Sequence, residues 1–185
     1  MDTLFLQAYC LHPILIQLLV QLLAESPELT SACTVLTPSL NTPLRAAQKA
    51  IVCYDNDCSR LLDVCRGGVV LEDDGLIPIM VQRLRLHPEI KIVRIKNRLD
   101  PQWDDKLSAG YRNVMLNVCI NSPETQRLNV DHHVAEIQLV PRDVYALRVA
   151  DLDHEPWSGG SRGWGDGSEG RHTRYIHWRN LRTVV

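Results

Sequence analysis

The sequence lacks an excess of charge of either sign, because 20 lysines and arginines stand against 22 aspartates and glutamates, for a formal net charge of −2. Proteins that bind nucleic acid through their overall charge are strongly basic. The composition excludes that mode of binding and indicates no specific nucleic-acid partner. Such a partner would need a local basic patch.

The sequence also lacks cysteines at the spacing of a metal site. Its six cysteines are scattered, with no C-x-x-C pair, so a zinc knuckle is not predicted. Cysteines inside apolar runs, such as Cys119 in VMLNVCI, are typical of buried residues in a reducing compartment, so we expect an intracellular, cytoplasmic protein. His132 and His133, beside Asp131, are neighbours on a strand and point to opposite faces, which favours a pair at the start of a strand over a metal site.

The segment from Leu4 to Glu25 is strongly apolar but lacks the marks of a targeting sequence. It has no basic n-region and no small-residue cleavage site, which argues against a secretory signal. Its uninterrupted apolar runs are shorter than a membrane span requires, so membrane contact is not expected. Its leucines recur at helical spacing, at Leu11, Leu15, Leu18, Leu19 and Leu22. This spacing favours a helix packed on the domain, or on another subunit of a homo-oligomer.

What the sequence does contain is a globular composition, with 45% hydrophobic against 23% charged residues in a chain of 185. That length suits one domain with appended segments. We expect an N-terminal hydrophobic helix and loop at 1–40, with a loop-rich segment from Ser26 to Pro43 in which Pro27 would begin a short helical turn. The domain itself is expected at 41–185, with a flexible Gly/Ser-rich loop at 154–170 and a basic amphipathic helix after that loop.

Helical and strand patterns alternate along the domain. Thr42 is predicted to cap a helix that Pro43 begins and Tyr54 ends. Further helices are predicted in GLIPIMVQRLRLHP and PRDVYALRV, and a short helix or turn in SRLLDVCR. Strands are predicted in GGVVLED, IKIVRIKNR, YRNVMLNVCI and HVAEIQLV. We therefore expect an α+β fold, with helices packed on a mixed, mainly antiparallel sheet of about four or five strands.

Alternation along the last three predicted strands separates an apolar face from a polar one. The apolar set is Val93, Ile95, Val114, Leu116, Val118, Ile120, Ala135, Ile137 and Leu139. The polar set is Arg94, Lys96, Arg98, Tyr111, Asn113, Asn117, Glu136 and Gln138. If the apolar set covers the core, then cations, amides, a tyrosine and a carboxylate share the front of one sheet.

This combination of side chains suits phosphate chemistry. Arginine and lysine bind phosphate oxygens, and a carboxylate among them is useful if it holds a metal ion or takes a proton. Nucleotidyl and pyrophosphoryl transfer need both parts, and a tyrosine can stack on a base. The alternative is a solvated sheet face with arginine–glutamate pairs between strands.

Some of these residues also follow a familiar order. Along the chain they are Arg45, Lys49, Asp63, Lys96, Arg98, Gly110-Tyr111 and Glu136-Ile137-Gln138. This order and spacing resemble the synthetase (nucleotidyltransferase) domain of the RelA/SpoT family, which makes the alarmones guanosine penta- and tetraphosphate. The resemblance covers about Arg45 to Arg148 and implies a nucleotidyltransferase-like fold.

The resemblance implies Mg²⁺-dependent transfer of pyrophosphate from ATP to a guanine nucleotide. Asp63 would be the metal-binding catalytic aspartate, and Glu136 would help to hold the metal and activate the acceptor 3′-hydroxyl. Tyr111 would stack on the acceptor guanine. The residues that would contact the ATP phosphates are Arg45, Lys49, Lys96 and Arg98. The remaining nucleotide-binding candidates are Arg66, Asn113 and Gln138.

Each assignment has a simpler structural alternative. Asp63 would cap a helix or pair with Arg66. Tyr111 would be an aromatic residue at a strand edge, and Arg45 with Lys49 would form a solvated helix face.

The chain also departs from the family pattern. The family's G-Y-Q-S-L-H reads GYRNVML here, so the serine and histidine that help to place the acceptor are missing. Gly67 and Gly68, weak strand formers, stand where the family has larger residues. These departures favour a second hypothesis, a catalytically silent nucleotide-binding or protein-interaction module on the same fold. The retained Asp63, Glu136 and Tyr111 favour the enzyme.

Overall fold

The computed structural model describes residues 1–108 and 110–153, so the predicted loop at 154–170 and the C-terminal basic helix lie outside the described residues. The helices are α1 (Asp2–Ala24), α2 (Pro27–Ala32), α3 (Pro43–Tyr54), α4 (Leu76–Leu86), α5 (Pro123–Arg127) and α6 (Arg142–Asp153). The strands are β1 (Cys33–Leu36), β2 (Arg66–Leu71), β3 (Ile90–Asn97), β4 (Val114–Ile120) and β5 (Ala135–Pro141). Short 3₁₀ turns lie at Cys58–Arg60 and Asp105–Leu107.

The strands form one five-stranded sheet in the order β1-β2-β5-β4-β3. Strands β2 and β5 are parallel, and the other neighbouring pairs are antiparallel. This confirms the predicted α+β fold with a mixed, mainly antiparallel sheet. Glu136 lies on β5 in the middle of the sheet, opposite Arg66 of β2 on one side and Asn117 of β4 on the other.

Helix α1 packs on the sheet, as its leucine spacing predicts. Its buried residues and most buried apolar residues of the sheet belong to one hydrophobic core. The helix passes so close to β2 that a Cβ added to Gly67 would lie 3.0 Å from the Cδ1 atom of Leu19. A glycine at this position therefore allows the helix to approach the strand. By length and composition α1 also meets the requirement for a membrane span, as buried core helices often do.

Helix α3 has the predicted N-terminus. Pro43 is its first residue, and the Thr42 hydroxyl accepts a hydrogen bond of 3.3 Å from the backbone N–H of Arg45. This bond satisfies one of the N–H groups that a helix leaves without an internal partner. Arg45 and Lys49 therefore lie on one face of α3, four residues apart.

The segment from Ser26 to Pro43 contains the short helix predicted to begin at Pro27, α2, but it also contains a strand that was not predicted, β1, which pairs with β2. The predicted apolar face of β3 was wrong at Val93, since the register of β3 against β4 shifts between Ile92 and Arg94 and leaves Val93 53% exposed. A bulge of this kind inserts one extra residue, so Ile92 takes the place expected for Val93. Ile95, also predicted to face the core, is 38% exposed.

Candidate functional site

The centre of the polar face of the sheet is buried. Asn113 is 0% exposed, and Asn117 and Glu136 are each 6% exposed. The alternative of a solvated sheet face is therefore wrong for these three residues. Buried polar groups are costly unless they have partners, so their partners indicate what the face is built to do.

The segment before β2 brings a second carboxylate to this face. The Nζ atom of Lys49, on α3, lies 2.7 Å from Oδ2 of Asp63. The side-chain amide of Asn117 donates to the backbone oxygen of Leu62 (3.4 Å). The backbone N–H of Glu136 donates to the oxygen of Cys65 (2.9 Å). Asp63 thus pairs with Lys49, and the segment that carries it is fixed to β4 and β5 on either side.

This environment changes the pKa of Glu136. Burial raises its pKa above the ordinary value, and the charge of nearby Asp63 raises it further. A 2.6 Å hydrogen bond from Gln138 and the charges of Lys49 and Arg66 oppose that rise. The structure therefore brings two carboxylates and two cations together around one buried position, which is the arrangement needed for proton transfer or cation binding.

Some buried polar atoms at the site have no hydrogen-bond partner among the described residues: Oδ1 of Asp63, Nδ2 of Asn113 and Nε of Arg98. Each such atom costs about 1–3 kcal/mol relative to a paired one. Arg98 also donates from Nη1 to Oδ1 of Asn113 (3.2 Å), so two of the unpartnered donors lie on adjacent side chains. A bound ligand that supplies acceptors to these donors would satisfy them.

Aromatic rings contact the cations of the site, and these contacts were not predicted from the sequence. The Nζ atom of Lys96 lies 4.7 Å from the centre of the Trp103 ring, and the Arg98 guanidinium lies 6.0 Å from it. Lys49 lies 5.6 Å from the Tyr54 ring. A tryptophan in an otherwise polar loop was the one available signal.

Lys96 carries a lowered pKa because of its burial and the neighbouring charges of Arg98 and Arg94, with Glu136 acting in the opposite direction. Its ammonium group therefore lies close enough to Glu136 for the two charges to interact. The two predicted halves of the site, the cations of β3 and the carboxylate of β5, are neighbours across the polar face.

Other predicted residues lie around this centre. Tyr111 lies in the turn before β4, where its N–H donates to the oxygen of Ser108 (3.0 Å). Gly110 precedes it with φ of 79°, a backbone conformation that favours glycine. Arg45 lies one turn before Lys49 on α3.

Of the two adjacent histidines, His132 is exposed and His133 is buried. The His132 side chain is 95% exposed, whereas His133 is 6% exposed. Across residues 1–108 and 110–153, no group of three or more histidines, cysteines, aspartates or glutamates could hold a metal ion. Any divalent cation at Asp63 and Glu136 would therefore need further ligands from a bound molecule or from water.

Comparison by sequence finds nothing. No protein-family model matches the chain, and no curated protein matches it.

Comparison by structure does find matches. The small alarmone synthetase 1 from Bacillus subtilis, solved bound to its product pppGpp, superimposes with a TM-score of 0.61 at 11% identity, over 99% of this chain and 90% of that one. The small alarmone synthetase 2 from the same organism gives 0.56 at 15% identity, over 80% and 76%. A GTP pyrophosphokinase family protein from Streptococcus pneumoniae gives 0.55 at 10% identity, over 96% and 86%. At such identities the likeness concerns the fold.

Proposed function

Because the chain has the RelA/SpoT-like fold of the small alarmone synthetases, we propose that it transfers pyrophosphate from ATP to a guanine nucleotide. The observation that carries the proposal is the buried group of Lys49, Asp63 and Glu136 on the polar face of the sheet. Two carboxylates beside lysines, enclosed by the fold, are the components that pyrophosphoryl transfer requires.

The cations would bind the phosphates of ATP. Lys49 lies on α3, whereas Lys96 lies in β3 and Arg98 directly follows that strand. The charges of Lys49 and Lys96 both interact with that of Glu136. Arg98 already donates to Asn113, and its Nε has no hydrogen-bond partner among the described residues, which supports a role in binding a phosphate oxygen.

Glu136 would act on the acceptor hydroxyl. A carboxylate is a better general base when its pKa is raised toward the working pH, and burial raises the pKa of Glu136. In the transfer step the acceptor 3′-oxygen forms a bond to the β-phosphorus of ATP while the bond from that phosphorus to the AMP portion breaks. The hydroxyl proton passes to the Glu136 carboxylate, and AMP leaves.

Asp63 and Glu136 would hold Mg²⁺, which neutralises charge on the transferring phosphates. The buried Oδ1 of Asp63, which has no hydrogen-bond partner among the described residues, fits an oxygen ligand. Mg²⁺ is usually bound by one or two carboxylates together with substrate phosphates and water, so a pair of carboxylates is sufficient.

The acceptor would lie toward the turn before β4. Tyr111 would stack on its guanine, and Asn113 occupies the position of the family's missing serine. The unpartnered Nδ2 of Asn113 can donate a hydrogen bond to an acceptor oxygen, a contact that a serine hydroxyl would otherwise make.

A silent nucleotide-binding module remains the second candidate. It is favoured by Met115, which stands at the position of the family's histidine and cannot donate or accept a strong hydrogen bond. Such a module would bind ATP through the same cations without transferring pyrophosphate.

One assay separates these functions. Purified protein is incubated with Mg²⁺, ATP labelled at the β-phosphate, and either GDP or GTP, and the products are resolved by chromatography. We expect label in a guanine nucleotide and the release of AMP. ATP binding without transfer would establish the silent module, and no binding of either nucleotide would overturn both proposals.

A further inference from the structure

Trp103 lies in the loop between β3 and β4, and its ring makes a hydrogen bond and contacts two cations. Its indole N–H donates to the Ser108 hydroxyl (3.1 Å), and Ser108 is itself 1% exposed. The ring lies 4.7 Å from the Lys96 ammonium and 6.0 Å from the Arg98 guanidinium. A rigid aromatic surface is therefore held against two cations of the candidate site.

We propose that Trp103 is a positioning residue that holds Lys96 and Arg98 where they receive the phosphates of a nucleotide. The inference rests on the proposed function for the identity of the ligand, but the positioning itself is a property of the protein alone.

The cations need such support because they repel one another. Arg94, Lys96 and Arg98 alternate along one face of β3, and Arg98 and Arg94 both disfavour the charged form of Lys96. Among the described residues, the charge of Glu136 opposes that repulsion, and the Trp103 ring attracts the Lys96 ammonium. A long lysine side chain would otherwise sample many rotamers away from the site.

An aromatic ring suits this task better than a carboxylate. The carboxylate of Asp63 forms an ion pair with Lys49, and a phosphate must compete with it. The ring of Trp103 attracts the cation without carrying a charge, so it does not offset the positive charge that a phosphate would meet. The ring thus restricts Lys96 and leaves its charge available.

The test uses substitutions that separate the effect of the ring from the effect of its hydrogen bond. Trp103→Phe keeps an aromatic face and loses the N–H donor, whereas Trp103→Leu removes the face. Ser108→Ala keeps the ring and removes only its hydrogen-bond partner. If the leucine variant does not fold, Trp103→Met fills similar space without a ring and replaces it.

The first measurement needs no nucleotide. Amine labelling of Lys96 is followed by mass spectrometry and normalised to Lys91, an exposed lysine on the same strand. Without the ring, Lys96 should become more mobile and its labelling should rise at least about threefold in Trp103→Leu. The phenylalanine variant should stay within about twofold of the wild type, and Ser108→Ala should lie between them. Unchanged labelling in the leucine variant would overturn the inference.

The second measurement is ATP binding by calorimetry, with the KM for ATP where turnover is observed. We expect Trp103→Leu to weaken binding about tenfold and to raise KM with little change in kcat, and Trp103→Phe to stay within about threefold. A wild type that binds no ATP but shows the labelling response would remove the proposed function and leave the positioning role intact. Equal ATP binding in wild type and Trp103→Leu would show that the positioning does not serve the nucleotide.

Discussion

At the scale of single residues, Glu136 is the most informative position, because it is 6% exposed and has a carboxylate neighbour in Asp63. Glu136→Gln keeps the size of the side chain and an oxygen that can accept from Gln138, but it cannot take a proton. We expect turnover to fall at least about a hundredfold, the scale of a lost general base. ATP binding measured without metal should persist, since the cations are unchanged. Full turnover in the variant, measured by the pyrophosphate-transfer assay, would contradict the assignment.

The same residue predicts a pH dependence of stability. Burial raises the pKa of Glu136 in the folded protein, so the folded state binds this proton more tightly than the unfolded chain. The stabilising contribution is complete below the unfolded pKa of about 4.3 and is lost as pH rises through the folded pKa.

Urea titrations between pH 4 and 8 check this prediction. The free energy of unfolding of wild type, relative to Glu136→Gln, should decrease as pH rises. A constant difference over this range would mean that the carboxylate is not perturbed in the metal-free protein.

Part of the candidate site could be predicted from the sequence, and the rest could not, for a physical reason. Asp63, Lys49 and Glu136 are far apart in sequence and were grouped by the family resemblance; the structure brings them near one another, and their roles stay a prediction. The rings of Trp103 and Tyr54 could not be assigned in this way. A cation–π contact joins residues of different elements and requires no fixed spacing in the sequence.

At the scale of elements, two different contacts explain the two glycines that are unusual for a strand, one with α1 at Gly67 and one with β5 at Gly68. A Cβ at Gly67 would meet Cδ1 of Leu19, the end of a flexible side chain, at 3.0 Å. A Cβ at Gly68 would meet the backbone oxygen of Gln138 at 3.1 Å, and a paired strand cannot easily move.

This contrast predicts unequal effects of the same substitution. Gly67→Ala should change the free energy of unfolding by less than about 1 kcal/mol. The added methyl group would crowd the Leu19 side chain, but alanine also makes the unfolded chain less flexible, and the two effects oppose each other. Gly68→Ala should destabilise by about 1–3 kcal/mol. Urea denaturation of both variants measures the difference, and an equal cost at the two positions would contradict the contrast between a flexible side chain at Gly67 and a fixed backbone oxygen at Gly68.

A second contact of α1 depends on pH. The buried His133, just before β5, lies with Nδ1 3.4 Å from Oε1 of Gln7, and its Nε2 has no hydrogen-bond partner among the described residues. Burial lowers the pKa of His133. Its stabilising contribution is therefore present above the unfolded value of about 6.5 and is lost as pH falls through the folded pKa.

The expected result is a loss of wild-type stability on acidification that is smaller in His133→Gln. Thermal unfolding in paired buffers at pH 5 and pH 7 gives the comparison, with His132→Gln as a control, since that side chain is 95% exposed. Equal acid sensitivity of wild type and both variants would contradict the prediction.

Pattern length decides which elements the sequence reveals. The leucine spacing of α1 and the alternation in β4 and β5 extend over enough residues to predict both the element and its buried face. Strand β1 has only 4 residues, too few for alternation to be distinguished from chance, and it is defined by its pairing with β2. The bulge at Val93 likewise depends on the register with β4 and leaves no local signature.

At the scale of the whole molecule, Lys96 and Arg98 lie near Glu136 on the polar face of the sheet, although the net charge of the chain is only −2. Helix α1 lies on the opposite side of the sheet and has no charged residue between Asp2 and Glu25. The sheet therefore separates a polar, cation-rich face from an apolar one that depends on α1 for its cover.

Matched leucines on α1 test whether that cover is structural. Leu15 is 0% exposed, whereas Leu6 is 65% exposed. Leu15→Ala should destabilise the protein by about 2–5 kcal/mol because it leaves a cavity in the core. Leu6→Ala should stay within about 0.5 kcal/mol of the wild type in the same urea titration. Equal effects would mean that α1 does not pack as the structure has it.

Removal of the whole helix is the stronger form of this test. Deleting residues 1–25 would expose the apolar side of the sheet around Val69, Leu116 and Ile137, each 0% exposed in the intact protein. An apolar surface of this kind promotes association, so we expect aggregation or a change of assembly state in light scattering and size-exclusion chromatography. If α1 were instead a membrane anchor with no part in the core, the truncated protein would remain soluble and unfold at the same temperature as the intact protein. That result would remove α1 from the folded domain.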